Sequence, residues 1–299
     1  RPTVTLLGEV FPADPVIIGR MLAPMGLAAG PVVPVREWRE LYAALDGDVV
    51  AAIHPFYTAS IREFQEAGRP IVGSAPVGLD GTDAWLSAIA DTLNVAPEAR
   101  DGVRNAMRGA IAGALSENRI KGRITLSGYE GSELIVARLL IESGADLRYV
   151  GTACPKTPWS AADAQWLADK GVHVQFRASL EQDLAAFHEF QPDLVIGTTP
   201  VVQAAKEASI PSLYFTNLIS ARPLMGPAGA GSLAQVINAA IANKPRFDRM
   251  SAFFEGVGAG DTAGVWRDTP VERPAFRKKY AAKTRISKNA VDAGEAVGC

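Results

Sequence analysis

The chain alternates short apolar runs, rich in β-branched residues, with segments of helical periodicity, and Gly or Pro separates the two kinds of segment. The first run covers residues 4–7 and ends at Gly8, and a helix is predicted from Pro15 with Asp14 as its N-cap. Regular alternation of strands and helices is typical of βαβ units, in which right-handed crossovers join parallel strands. We therefore predict an α/β fold built on doubly wound parallel sheets.

A second cycle begins near residue 123 and repeats the pattern of the first. Residues 5–8, Thr-Leu-Leu-Gly, resemble residues 125–128, Thr-Leu-Ser-Gly, and each is followed by a predicted helix and a terminal glycine. Duplication and convergence both account for this similarity. We predict two tandem Rossmann-like modules at residues 1–96 and 121–243, a linking helix at 97–120, and a helical C-terminal tail at 244–299.

Charge and hydropathy argue against two classes of partner. The chain has 30 Lys and Arg against 32 Asp and Glu, so it lacks the basic surplus that is usual for nucleic-acid binding. Its apolar runs are strand-sized, whereas a transmembrane helix needs about 20 apolar residues. We expect no nucleic-acid partner, no transmembrane segment and a cytoplasmic location. Arg1 comes just before a predicted strand, as expected of a segment from a longer polypeptide.

The cysteine count argues against a resident metal cluster. Only Cys154 and Cys299 occur in the chain, and a 4Fe-4S centre needs about four thiolates or close substitutes. For Cys154 a small buried apolar role is favoured over a reactive one. We predict no metal site in this chain.

Ligands of open parallel sheets bind beyond the carboxyl ends of the strands, so the post-strand loops are the candidate sites. Residues 128–131 lack the G-x-G-x-x-G pattern, and residues 226–231 include Pro227, which has no N–H to offer a phosphate. The chain has no P-loop lysine either. A turn-forming role for these glycines is favoured over nucleotide binding.

Three polar side chains follow predicted strands in these loops. His54 ends a buried strand, and it is either a hydrogen-bonded structural residue or a ligand contact and proton donor. Glu9 and Glu130 occupy nearly equivalent positions in the two modules, where a carboxylate either caps a helix or relays protons. His54 and Glu9 are the predicted proton-donor candidates.

No Ser-His-Asp order, His-x-x-x-His pair or Cys-x-x-Cys motif is present. This absence favours a large and mainly apolar pocket that is shared with other parts of a complex. About half of the predicted lining residues should prove to be core. The predicted lining is Phe11, Phe56, Tyr57, Tyr129, Leu218, Ile219, Leu224 and Met225.

Several long loops resemble a known family. The matching stretches are residues 7–15 (Leu-Gly-Glu-Val-Phe-Pro-Ala-Asp-Pro), 53–60 (Ile-His-Pro-Phe-Tyr-Thr-Ala-Ser), 150–157 (Val-Gly-Thr-Ala-Cys-Pro-Lys-Thr), 214–217 and 225–231. They resemble the Y-subunit family of chlorophyllide a reductase, which belongs to the nitrogenase-like reductases. The resemblance extends over essentially the whole chain.

The resemblance implies an enzyme that reduces a ring B double bond of chlorophyllide a during bacteriochlorophyll biosynthesis. Electrons would come from an ATP-hydrolysing iron–sulfur X subunit and pass through a 4Fe-4S cluster shared with a Z subunit, in a heterotetramer. Large subunits of this family have three Rossmann-like domains, and this chain would supply the second and third. The cluster cysteines lie in the first domain, so none is carried over to this chain.

The resemblance also implies that two metal-cofactor ligands of nitrogenase are missing. The loop at residues 54–56 matches the one that carries the cofactor cysteine, and the loop at 227–229 matches the one that carries the cofactor histidine. Neither residue type is in place, which fits an apolar tetrapyrrole pocket. An alternative is a stand-alone small-molecule binding protein or glycosyltransferase, although Lys156 and Arg222 are the few basic groups in these loops.

Overall fold

The computed structural model describes residues 1–8 and 14–254, and these residues form two parallel sheets. The strands of the first sheet are β1 (Thr3–Leu7), β2 (Ala28–Val33), β3 (Val49–Ala52) and β4 (Ile71–Gly73). Those of the second are β5 (Arg123–Gly128), β6 (Asp146–Thr152), β7 (His173–Phe176), β8 (Leu194–Gly197) and β9 (Ser212–Tyr214). Each strand pairing is parallel.

The strand orders are β2-β1-β3-β4 and β7-β6-β5-β8-β9. Successive strands are therefore added first toward one edge of each sheet and then toward the other. The order changes between β1 and β3 in the first sheet and between β5 and β8 in the second. These are the topological switch points at which open α/β sheets bind ligands. The predicted α/β fold with two tandem Rossmann-like sheets is confirmed, whereas the domain limits stay a prediction.

Helices connect the strands and cover the sheets. They are α1 (Pro15–Leu22), α2 (Trp38–Leu45), α3 (Thr58–Glu66), α4 (Gly78–Thr92), α5 (Pro97–Glu117), α6 (Glu133–Glu142), α7 (Ala161–Asp169), α8 (Leu180–Phe190), α9 (Thr199–Glu207), α10 (Phe215–Ser220), α11 (Gly226–Ala242) and α12 (Lys244–Phe254). Short 3₁₀ turns lie at Ala23–Met25 and Pro158–Ser160. None of the helices in residues 14–254 combines the length and hydropathy that crossing a bilayer requires.

Local sequence signals explain where several helices begin. The Asp14 carboxylate accepts the backbone N–H groups of Val16 and Ile17 at 2.8 and 3.3 Å, so the predicted N-cap of α1 is confirmed. Helix α5 begins at the predicted proline, Pro97. The patterns predict no element over residues 78–92, where the structure has α4.

Residues 1–244 form one compact unit, and residues 245–299 form a second, whose described part is helical. One apolar cluster runs through both sheets of the first unit, from Leu6 in β1 to Leu126 in β5. The side chain of Trp85 on α4 is 1% exposed and belongs to the same cluster. The two modules are therefore packed on a continuous core.

A buried polar group also joins the two modules. The Arg138 guanidinium pairs with the Asp163 carboxylate, and both side chains are nearly inaccessible to solvent. Ser74, which follows β4 in the first module, donates its hydroxyl to Asp163 at 3.0 Å. We call Arg138, Asp163 and Ser74 the ion cluster. Arg138 and Asp163 both belong to the second module, and the Ser74 hydroxyl bond links this buried pair to the first.

Candidate functional site

The loops after β3 and β5 meet at the carboxyl ends of the two sheets. The His54 ring nitrogen Nε2 lies 2.6 Å from the carbonyl oxygen of Glu130. Gly131 has a φ of +92°, and a side chain there would overlap the rings of His54 and Phe56. Glycine is therefore required at this position for the loops to meet.

A second hydrogen bond between the modules lies close by. The Thr157 hydroxyl donates to the Pro55 carbonyl oxygen at 2.9 Å. Thr157 also caps the short turn at Pro158–Ser160, where its hydroxyl accepts the Ser160 N–H at 3.2 Å. We call the His54–Glu130 and Thr157–Pro55 hydrogen bonds together the loop contact.

A cavity of about 570 Å³ opens beside the loop contact, and we call it the apolar cavity. Ile53, Ile135, Ile219 and Met225 form its apolar walls, with Ala221 at one side. The polar lining consists of His54, Glu130, Ser132, Thr216 and Ser220. A cavity of this size and composition suits a small organic ligand with an apolar body and a few polar groups.

Backbone groups hold the His54 ring on both sides. A carbonyl oxygen can only accept, so Nε2 donates its hydrogen to Glu130, while the Phe56 N–H donates to Nδ1 at 3.4 Å. The rings of Phe56 and Tyr57 pack edge-on against the imidazole, with centroids 5.7 and 4.7 Å away. These contacts fix one orientation of the ring at the cavity wall.

Beneath the Glu130 loop lies a buried carboxylate, Glu133. It accepts the N–H groups of Glu130 at 2.7 Å and Gly131 at 3.0 Å, together with the Thr152 hydroxyl at 3.0 Å. Burial raises the pKa of Glu133, and these donors act in the opposite direction by stabilising its charged form. Glu133 thus anchors the loop that presents Glu130 to the cavity.

A second cavity, of about 340 Å³, lies at the ends of β8 and β9, and we call it the hydroxyl cavity. Hydroxyl and amide side chains dominate its lining, which consists of Tyr129, Gly197, Thr198, Thr199, Tyr214, Phe215, Thr216 and Asn217. Thr216 lines both cavities. Its hydroxyl donates to Glu130 Oε1 at 2.7 Å, so this pair lies between the two cavities.

Residues 1–242 match the family described as nitrogenase component 1 type oxidoreductase. The chain belongs to this family. Its sequence is 67% identical over 297 residues to the chlorophyllide reductase 52.5 kDa chain of Cereibacter sphaeroides, which covers 99% of this chain. The chain spans 59% of the length of that relative.

Other proteins are similar at lower identity. The light-independent protochlorophyllide reductase subunit N of a Synechococcus species is 29% identical over 219 residues, covering 72% of this chain and 51% of that protein. Among solved structures, nitrogenase Cp1 at pH 6.5 superposes with a TM-score of 0.61. That match covers 91% of this chain and 63% of the other at 18% identity, so it concerns the fold alone.

The predicted site residues fall into several groups in this nitrogenase-like chain. Met225 and Ile219 line the apolar cavity, and Tyr129 lines the hydroxyl cavity. Leu218 and Leu224 are buried in the shared core.

The remaining predicted residues lie at the loop contact or beyond the described ranges. Phe56 and Tyr57 are half-buried and pack on His54. Glu9, Phe11 and Cys299 lie outside the described residues.

The glycine-rich stretch at residues 226–231 begins helix α11 of this nitrogenase-like chain. Gly226 has a φ of +61°, and a side chain at Gly229 would overlap the backbone of Leu224. These glycines therefore serve the turn and its close packing. Nearby, Arg222 donates to the Ser232 hydroxyl at 3.3 Å.

The described residues do not fit an iron–sulfur cluster. Within them Cys154 is the only cysteine, and no three His, Cys, Asp or Glu side chains come together as metal ligands. Burial raises the pKa of the Cys154 thiol, and the negative charge of Glu133 raises it further. This environment favours the protonated thiol over the thiolate that binds iron.

Proposed function

We propose that the chain is part of the Y subunit of a chlorophyllide a reductase. In this proposal the enzyme is an oxidoreductase that reduces a CH–CH bond of ring B in bacteriochlorophyll biosynthesis. The observation that carries the proposal is the 67% identity to a chlorophyllide reductase chain over nearly the whole of this chain.

The apolar cavity supports the same conclusion on chemical grounds. The substrate is a flat, largely apolar macrocycle with a few polar substituents. Ile53, Ile135, Ile219 and Met225 offer apolar contacts to its face, and the polar side chains of the lining offer hydrogen bonds to its substituents. We propose that Phe56, Tyr57, Tyr129 and Leu224 complete or support this site.

The proposal assigns proton delivery to His54 and Glu9. His54 lies at the wall of the apolar cavity, which puts a titratable ring beside the proposed substrate. Glu9 follows β1 in the sequence, and β1 borders the switch point of the first sheet.

Other parts of the complex supply the electrons. We propose that an ATP-hydrolysing iron–sulfur X subunit delivers them through a 4Fe-4S cluster shared with a Z subunit, in a cytoplasmic heterotetramer. We propose that the ligands of this cluster come from other parts of the complex. The role left to this chain is to bind and orient the tetrapyrrole and to supply protons.

The direct test is a titration of the purified chain with chlorophyllide a, with and without the Z subunit, followed by pigment absorbance and fluorescence. Saturable binding that tightens with the Z subunit is expected. Ala221→Trp fills one side of the cavity from an exposed position, and we expect it to weaken binding about 10-fold or more, equivalent to about 1.4 kcal/mol.

Ala208→Trp is the matched control, because Ala208 is exposed at the end of α9 and is not part of the cavity lining. It should bind like the wild type. Absence of binding in both mixtures, with a folded chain by circular dichroism, would reject the proposal and direct the search to nucleotide sugars.

A further inference from the structure

The Glu130–Thr216 pair occupies the border between two cavities of unlike chemistry. On one side lies the apolar cavity, which the proposed function assigns to the tetrapyrrole. On the other lies the hydroxyl cavity, whose side chains suit water. Glu130 is half-buried, and Thr216 is exposed, so the pair is also within reach of solvent.

Hydrogen bonds fix the orientation of the Glu130 side chain and backbone. Its Oε1 accepts the Thr216 hydroxyl at 2.7 Å, and its backbone N–H is fixed by the buried Glu133 carboxylate at 2.7 Å. Its own carbonyl oxygen is bonded to His54. Three separate contacts thus fix the backbone and side chain of one residue that lines the apolar cavity.

His54, the other titratable side chain that lines this cavity, is arranged differently. Both of its ring nitrogens already contact backbone groups, the Glu130 carbonyl oxygen and the Phe56 N–H. A proton leaving Nε2 would break a hydrogen bond between the modules. Proton loss from the Glu130 carboxyl leaves the Thr216 hydroxyl bond in place, because a carboxylate accepts it equally well.

We infer that Glu130 is a catalytic acid of the proposed reduction and that Thr216 is its positioning residue. This inference rests on the proposed function. Thr216 holds Oε1, so Oε2 carries the proton that is transferred to the substrate. A proton from bulk solvent then returns to the carboxylate, relayed by water in the hydroxyl cavity.

The step balances as a reduction of a carbon–carbon double bond. Two electrons from the iron–sulfur reductase and two protons convert C=C to CH–CH, and the reductase is oxidised. For one of these protons the O–H bond of Glu130 breaks as a C–H bond forms, and the electron pair of the O–H bond stays on the carboxylate. The second proton comes from the donors proposed above, His54 or Glu9.

The test uses the complete reductase, with this subunit as wild type or variant, and measures chlorophyllide a binding and turnover separately. Glu130→Gln keeps the shape and an acceptor for Thr216 but removes the acidic proton. General acid catalysis contributes about 10²- to 10⁴-fold, so kcat should fall by about 100-fold or more. The Kd for chlorophyllide a should stay within about threefold, because the change removes no apolar contact.

Thr216 provides the second, independent variants. Thr216→Val removes the hydroxyl at constant shape and should lower kcat about 10-fold, whereas Thr216→Ser keeps the hydroxyl and should restore it to within about threefold. Circular dichroism establishes that each variant is folded. Rescue by serine distinguishes positioning of the acid from a loss of packing.

The outcomes separate this inference from the proposed function. If the wild-type complex neither binds nor reduces chlorophyllide a, the proposed function and the inference that rests on it are both rejected. If the wild type is active and Glu130→Gln retains kcat within about threefold, the inference alone is overturned. A Glu130→Gln variant that loses pigment binding about 10-fold or more also overturns it, since Glu130 would then be a binding residue.

Discussion

The ion cluster and the loop contact both join the two modules, yet they differ in environment. Arg138 and Asp163 are 5% and 2% exposed, and neither faces a cavity wall of the candidate site. His54 is half-buried and lies at that wall. Removing one partner of a buried charge pair costs several kcal/mol of stability. Rearranging a neutral hydrogen bond at a cavity wall costs less free energy. The first is thus suited to holding the modules together and the second to responding to a ligand.

Removing one charge of the ion cluster should have the largest effect on stability. Asp163→Asn removes the carboxylate that pairs with the buried Arg138 guanidinium, and we expect the free energy of unfolding to fall by about 3–5 kcal/mol. Urea unfolding followed by tryptophan fluorescence measures this loss. A loss below about 1 kcal/mol would show that this buried ion pair contributes little to the stability of the fold.

Breaking the loop contact should lower stability less than Asp163→Asn does, and it should lower the affinity for the ligand more. His54→Ala leaves the Glu130 carbonyl oxygen without its donor, and the free energy of unfolding should fall by about 1–3 kcal/mol. Chlorophyllide a binding should weaken about 10-fold, because the His54 ring itself forms part of the cavity wall.

His54→Gln, whose amide can donate to the same oxygen, is the control and should recover part of both losses. A His54→Ala variant with wild-type affinity and a loss equal to that of Asp163→Asn would remove the distinction between the two contacts.

The smallest effect on stability is expected at Asp183, a buried carboxyl group whose hydrogen-bond partner is an uncharged tyrosine. The Tyr149 hydroxyl donates to Asp183 at 2.8 Å, and burial raises the pKa of Asp183. An acid whose pKa is higher in the folded state than in the unfolded state stabilises the fold at low pH. That stability is lost as the pH rises from about 3.9, the unfolded value, through the folded pKa.

Asp183→Asn keeps an acceptor for Tyr149 and cannot ionise. The wild type should therefore lose stability relative to Asp183→Asn as the pH rises, by on the order of 1 kcal/mol. Urea unfolding at a series of pH values measures the difference. A difference that is constant, or that grows in favour of the wild type, would contradict the assignment.

Much of the fold is predictable because its signals are local. Asp14 followed by Pro15 indicates the start of α1 from adjacent residues alone, and the apolar runs indicate the strands. Helix α4 escapes prediction because Gly78 and Gly81 weaken the helical signal of its first turn. What stabilises α4 is the burial of Trp85 and its neighbours, which depends on distant segments.

The site is predictable only in outline. The switch-point rule selects the loops of His54 and Glu130 without any knowledge of tertiary contacts. It does not show that the His54 ring bonds to a carbonyl 76 positions along the chain. Glu133 gives only the ordinary signal of an acid in a first helical turn, so its role beneath the Glu130 loop depends on contacts that no sequence pattern records.

The first turn of α4 has a consequence for how the chain folds. The Glu142 carboxylate of α6 accepts the N–H groups of Leu79 and Asp80, so the second module caps a helix that the chain order assigns to the first. The boundary between the modules in the packed structure therefore differs from the boundary between them in the sequence. Expression of residues 1–96 alone would leave α4 uncapped and its apolar side in water. The two sheets should consequently unfold in one cooperative transition, and recombination between relatives should preserve them as a pair.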